Sequence, residues 1–153
     1  TIPCGAVFAS RKVHDGMMVG PENQIELFHG YTYSAHPTAC AAGIATLDIY
    51  KDERLLTRGA SIAGYWRDAL HSLKGLPNVI DIRNCGLMGA VELSPRDGAV
   101  GARGYDVMVD CFNSGPYLRM SGDSFAMSPP LIVEKSHIDD MVSILGDAIK
   151  RVA

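Results

Sequence analysis

The sequence has no excess of positive charge. Lys and Arg number 14 against 17 Asp and Glu, a formal net charge of −3, and no block of like charge forms a tail. A nucleic-acid partner would require a basic footprint, so none is expected. No apolar run approaches the ~20 residues needed to span a bilayer, so no membrane partner is expected, and no signal-peptide pattern is visible. Several chemical signatures are absent as well: a Gly-rich phosphate loop, a His-Glu-x-x-His pair, a nucleophile elbow, an EF-hand loop. Internal repeats and low-complexity segments are also missing. Cysteine is sparse. Cys4, Cys40, Cys85 and Cys111 show neither C-x-x-C spacing nor a Cys/His cluster of zinc type, so no metal site is expected. The thiols read as reduced and mostly buried, in a cytoplasmic protein.

What is present is a chain of 153 residues, 47% apolar and 20% charged, enough for a globular domain with a real core. It is organised around residues 29–37, His29-Gly30-Tyr31-Thr32-Tyr33-Ser34-Ala35-His36-Pro37, followed by Thr38-Ala39-Cys40-Ala41-Ala42-Gly43-Ile44-Ala45. Pro37 suits a first helical turn. The small side chains after it predict a helix over 37–50 that packs closely and is largely buried. A polar loop at such a helix start favours an anion.

Ahead of this stretch, residues 4–10 read as a short buried strand and residues 12–18 as a short helix. Gly20-Pro21-Glu22-Asn23 is turn chemistry. Leu55, Ile62, Trp66, Leu70 and Leu73 recur at helical spacing, predicting a helix over 52–74 that Gly59 and Gly64 weaken and Gly75-Leu76-Pro77-Asn78 ends. Strands are expected at 79–83 and 87–93, with Gly86 and Gly89 marking positive φ or a close backbone approach. A helix over 105–112 and short strands at 117–120 and 125–128 follow. The last helix is expected to start at Ser136 as N-cap and to bury Ile138, Met141, Val142, Leu145, Ile149 and Val152. From residue 59 onward this is an α+β pattern.

Taken singly, the polar residues of interest leave alternatives open. The Thr32 hydroxyl can donate to a phosphate oxygen or close a local turn. Tyr31 and Tyr33 can pack a ring and still offer a phenol. Arg119 can grip a carboxylate with two parallel N–H bonds, or sit on the surface paired with Asp123. His29 and His36 have no partner that would form an acid–base dyad. Arg83 and Glu92 read as an ion pair or as solvated charges.

The order of motifs resembles a known family. Residues 29–37, Thr1-Ile2-Pro3-Cys4-Gly5-Ala6-Val7, the pair Val79-Ile80-Asp81-Ile82-Arg83 and Gly86-Leu87-Met88-Gly89-Ala90-Val91-Glu92-Leu93, and Leu118-Arg119-Met120-Ser121-Gly122-Asp123 with Ser128-Pro129-Pro130-Leu131 are similar to segments of class III aminotransferases of the omega-amino acid:pyruvate type. These enzymes use pyridoxal 5'-phosphate (PLP).

The resemblance implies a mixed α/β to α+β chain. Residues 1–58 would be the tail of a fold type I PLP-binding large domain, and residues 59–153 the small C-terminal domain. It implies Thr32 as the cofactor-binding residue, holding the phosphate in the neighbouring subunit's site. It implies Arg119 and Tyr31 as substrate-binding residues, Arg119 being a mobile clamp for the substrate carboxylate. The family's Schiff-base lysine precedes the segment matched by Thr1, so no catalytic residue is expected in this chain, and the chain alone is expected to be inactive. The expected partners are an amine and a keto acid such as pyruvate, in a homodimer or higher homo-oligomer. The alternatives are a non-catalytic interaction fragment of this fold, or another PLP enzyme on the same scaffold, a decarboxylase or a mutase.

Overall fold

A computed structural model describes residues 2–23 and 32–153. His29 and Tyr31 lie outside the described residues. The chain divides into two units, Thr1–Glu53 and Arg54–Ala153, and each is described by itself.

The first unit carries helices α1 (Arg11–Met17) and α2 (Pro37–Asp52). Pro37 occupies the first turn of α2, and the His36 imidazole caps the helix by accepting the Ala39 N–H at 3.4 Å. His36 is thus a helix cap. Two expectations fail here. Residues 4–10 form no strand, and Val7 and Phe8 are 97% and 94% exposed. A strand needs a neighbour to take its N–H and C=O groups, and the described part of this unit contains no strand. Helix α2 buries none of its residues, and Leu47 is 65% exposed. Small side chains permit a close neighbour without supplying one. The 153-residue chain on its own is therefore expected to associate and to bind a hydrophobic dye. A monodisperse monomer at high concentration with no dye binding would contradict this.

The second unit is built on a four-stranded antiparallel sheet in the order β1-β2-β4-β3, with β1 Val79–Cys85, β2 Met88–Leu93, β3 Arg119–Ser121 and β4 Ser124–Met127. Helices α3 (Leu55–His71), α4 (Ala102–Ser114) and α5 (Lys135–Val152) complete it. Alternation decides which strand residues go inside. Val91 and Leu93 of β2 and Phe125 and Met127 of β4 share one core with Ile62, Trp66 and Leu70 of α3, Val107 and Cys111 of α4, and Ile138, Val142, Leu145 and Ile149 of α5. The opposite face carries Arg83, Ala90, Ala126 and Arg119 in one row across the four strands. Gly86 has φ +56° in the β1–β2 turn, and Gly89 lies against Trp66.

Several element boundaries differ from expectation: β1 runs on to Cys85 instead of ending at 83, α3 ends at His71 instead of 74, and β3 and β4 each shift by one or two residues. Helix α2 extends to Asp52, and α3 begins only at Leu55, because Arg54 takes a left-handed conformation (φ +50°) between them. Helix α4 is longer than expected at both ends. Helix α5 is capped two residues earlier than Ser136: Glu134 is extended at its start, and its N–H donates to His137 Nδ1 at 3.2 Å. The thiols are all free, but only Cys111 is buried; Cys4, Cys40 and Cys85 are exposed. Burial pushes the Cys111 thiol pKa up to about 11.

Candidate functional site

Two short strands and a turn place the candidate substrate residue. Strand β3 is at the sheet edge and only three residues long, paired to β4 by Arg119↔Ala126 and Ser121↔Ser124. Inward-pointing Met120 packs against the core, so its neighbours Arg119 and Ser121 face the other way. Arg119 then lines a cavity of about 520 Å³ with Tyr117, Met88, Ala126, Met127, Pro129 and Pro130 among its walls. Arg119 is the one charged residue among the described lining. No carboxylate among the described residues lies within ion-pair distance of its guanidinium. An exposed guanidinium fork at an otherwise largely apolar cavity can take a carboxylate in two parallel N–H···O bonds.

The cavity walls are braced. Tyr117 meets Phe112 edge to face, with ring centroids 6.2 Å apart. The chain after Pro130 is held by Arg58, whose Nη2 donates to the carbonyls of Ile132 (3.1 Å) and Val133 (2.7 Å). At the far end of the alanine row, Arg83 bridges Glu92 at 2.7 Å and Asp81. Asp81 and Glu92 are cross-strand partners, and the guanidinium relieves what would otherwise be a repulsive pair. Glu92 and then Asp81 raise the Arg83 pKa above its ordinary value. Arg83 is therefore occupied, whereas Arg119 is available.

The alternative pairing of Arg119 with Asp123 is not what the structure contains. Asp123 is buried, and its two oxygens accept the N–H groups of Gly101 (2.6 Å) and Gly104 (2.8 Å) at the start of α4. Sequence reasoning missed this contact, as it missed the Arg58 brace. The available signal for Asp123 was an acidic residue after a turn glycine. Its partners lie 22 and 19 residues away, so no local pattern identifies them.

The candidate cofactor residue belongs to the first unit. Thr32 is exposed at the start of the turn over 32–35 that leads into α2. Tyr31, the second expected substrate contact, falls outside the described residues. An exposed threonine hydroxyl in a turn before a helix fits a phosphate oxygen. The lysines fit a cofactor less well. Lys12, Lys51, Lys74, Lys135 and Lys150 are all exposed; Lys150 pairs with Asp147 and Lys135 lies over the Tyr65 ring. None is enclosed where an aldehyde carbon would be held. The residues present thus fit the phosphate of PLP and not its point of attachment. Among the described residues, no group of His, Cys, Asp or Glu could hold a metal ion, and no helix is long and apolar enough to cross a membrane.

The second unit thus combines an antiparallel α+β fold with an arginine on a largely apolar cavity. Residues 2–149 match the family described as "Aminotransferase class-III". The chain belongs to the class III aminotransferase family. It is 54% identical over 151 residues to the omega-aminotransferase of Caulobacter vibrioides, and 41% identical over 154 residues to the beta-alanine--pyruvate aminotransferase of Pseudomonas aeruginosa. Each alignment covers 99% of this chain and 34% of the relative, so the chain spans about a third of their length. Among solved structures, a thermostable omega transaminase from Pseudomonas jessenii superposes with a TM-score of 0.77 at 32% identity, covering 83% of this chain and 30% of that one. An adenosylmethionine-8-amino-7-oxononanoate aminotransferase from Methanocaldococcus jannaschii gives 0.79 at 27% identity, covering 92% and 33%.

Proposed function

We propose that these residues serve a PLP-dependent aminotransferase that moves an amino group from an omega-amino acid or amine to a keto acid such as pyruvate. The observation that carries this reading is the Arg119 guanidinium at the cavity of the second unit, with no carboxylate partner among the described residues. The names of the relatives, which include omega-amino acid and beta-alanine--pyruvate aminotransferases, support the substrate class.

PLP, when bound, supplies the electron sink. This chain's own residues bind and orient. The Thr32 hydroxyl donates to a phosphate oxygen of the cofactor in a neighbouring subunit's site. The Arg119 fork takes the substrate carboxylate, and its moving aside admits substituents without one. Tyr31 is, by the family resemblance, a second substrate-binding residue. The protein works as a homodimer or higher homo-oligomer in the cytoplasm. The residues before the break between Glu53 and Arg54 end its cofactor domain and those after it form its small domain, a boundary five residues ahead of the one expected after residue 58.

The test is direct. The full-length protein, supplied with PLP, beta-alanine and pyruvate, is expected to form alanine and 3-oxopropanoate in equal amounts. Carbon dioxide release without alanine would replace the reading with a decarboxylase. No turnover of any amine would favour a non-catalytic role.

A further inference from the structure

We propose that Asp123 is the positioning residue for Arg119: its buried carboxylate locks the β3–β4 turn to the start of α4 and so fixes where β3 presents the guanidinium. This rests on the carboxylate-binding role proposed for Arg119.

Asp123 is only 7% exposed, and it is the buried charged residue of the described chain. A buried carboxylate persists only where hydrogen bonds replace its water. Here the replacement is the N-terminus of α4. The N-cap of that helix is Gly101, which has no side chain to cap with. Asp123 Oδ2 accepts the Gly101 N–H at 2.6 Å and Oδ1 accepts the Gly104 N–H at 2.8 Å. Its charge meets the positive end of the helix dipole. Its main-chain carbonyl also accepts the Leu93 N–H at 2.9 Å, which ties it to the end of β2.

The fit leaves little slack. A Cβ on Gly104 would lie 2.5 Å from the Gly122 oxygen and 3.0 Å from the Asp123 Cα. Gly122 itself turns the chain at φ +59°. Strand β3 is three residues long, at an edge and paired on one side. Leu118 and Met120 anchor it to the core from one face, and the turn that ends it fixes its C-terminal end. Arg119 lies two residues before that strand's last residue, Ser121. Fork-to-carboxylate bonding is geometrically demanding, and a shift of ~1 Å at a positioning group can cost ~100-fold.

The experiment uses the full-length, PLP-loaded protein and two variants of the contact. Asp123→Asn turns an amide N–H₂ toward one of the two donors. Gly104→Ala pushes the turn without changing charge. Each is combined with wild-type Arg119 and with Arg119→Ala. Single-turnover reaction with beta-alanine is compared with that of a primary amine lacking a carboxylate, in the absence of keto acid. Calorimetric titration of propionate reports carboxylate binding without chemistry.

With Arg119 present, each variant is expected to weaken propionate binding and beta-alanine use about tenfold, with the plain amine little changed. Amine turnover doubles as the folding control. In the Arg119→Ala background, neither variant should change the ratio of the two substrates. Equal losses on both substrates in both variants, or an undiminished effect without Arg119, would overturn the inference. If Arg119→Ala alone leaves the ratio unchanged, the role of Arg119 itself falls. If that substitution is selective and the Asp123 and Gly104 variants are not, only the positioning role falls.

Discussion

Replacing Arg119 by alanine is expected to lower kcat/KM for carboxylate-bearing substrates on the order of ten- to a hundredfold, and to leave plain amines much less affected. The argument begins with the lining of the cavity. Arg119 is its one charged residue among those described, so a carboxylate placed there has a single strong partner. A guanidinium offers two parallel charge-assisted bonds, each worth roughly 1.5–3 kcal/mol net. Losing one of them accounts for the lower end of the range, at about 1.4 kcal/mol per factor of ten. An amine without a carboxylate never forms these bonds and has nothing to lose. Arg119→Lys keeps the charge without the fork and is expected to fall between the two. The measurement is kcat/KM of the full-length enzyme for beta-alanine and for a carboxylate-free amine in wild type and both variants. Equal losses on both substrates would make Arg119 a structural residue and remove the substrate assignment.

Trp66→Ala is expected to cost about 3–5 kcal/mol of stability, a large share of the roughly 5–15 kcal/mol margin of an ordinary domain. Trp66 is fully buried (0% exposed) at the centre of the core, beside Leu70 and Val91. Its ring is packed against the β2 backbone at Gly89, where an added Cβ would sit 3.2 Å from Cζ2 and Nε1. Leu70 already packs against the same Gly89 position, so little is left that can collapse into the space. The indole Nε1 is buried with no hydrogen-bond partner among the described residues. That donor already carries a desolvation cost in the native protein. Trp66→Phe removes the unpaired N–H along with part of the ring, so its loss should be well under that of the alanine variant. Denaturant unfolding followed by circular dichroism gives both numbers. Fluorescence serves only the wild type, because this is the one tryptophan in the sequence. A cost under ~1 kcal/mol for Trp66→Ala would mean that the core is not organised around it.

The elements that announced themselves in the sequence are those whose reason for existing is local. Helix α5 was legible because its apolar residues recur on one face, and the β1–β2 hairpin because a turn glycine separates two apolar runs. Helix α4 was read short at its N-terminal end because its cap, Asp123, comes from another part of the chain. The break at Arg54 was hidden because nothing in an arginine advertises a left-handed backbone. Residues 4–10 and α2 carry a composition suited to burial, yet burial is a property of two surfaces, and residues 1–53 show one. The site divides in the same way. A short strand around Arg119, expected over 117–120 and found over Arg119–Ser121, and a turn at Ser121-Gly122-Asp123 follow from residue types. That Asp123 serves the helix, and leaves Arg119 without a carboxylate partner among the described residues, follows only from three-dimensional contacts. Motif resemblance reached further than periodicity did, because it draws on the family and not on the chain's own physics.

The low floor beside Arg119 bears on how quickly a bound carboxylate leaves. The guanidinium shares its sheet face with Ala126 and Ala90, whose side chains are single methyl groups. Nothing bulky on that row confines it, and no internal ion pair among the described residues pins it. An arginine with that liberty keeps most of its rotamer entropy until a ligand arrives, and surrendering it costs up to about 2 kcal/mol. In the proposed clamp that term is deducted from every capture, of reactant and product alike, and weakens the complex by on the order of thirtyfold relative to a rigid fork. The same deduction shortens residence, so a spent carboxylate departs before it can hold the site against the next one.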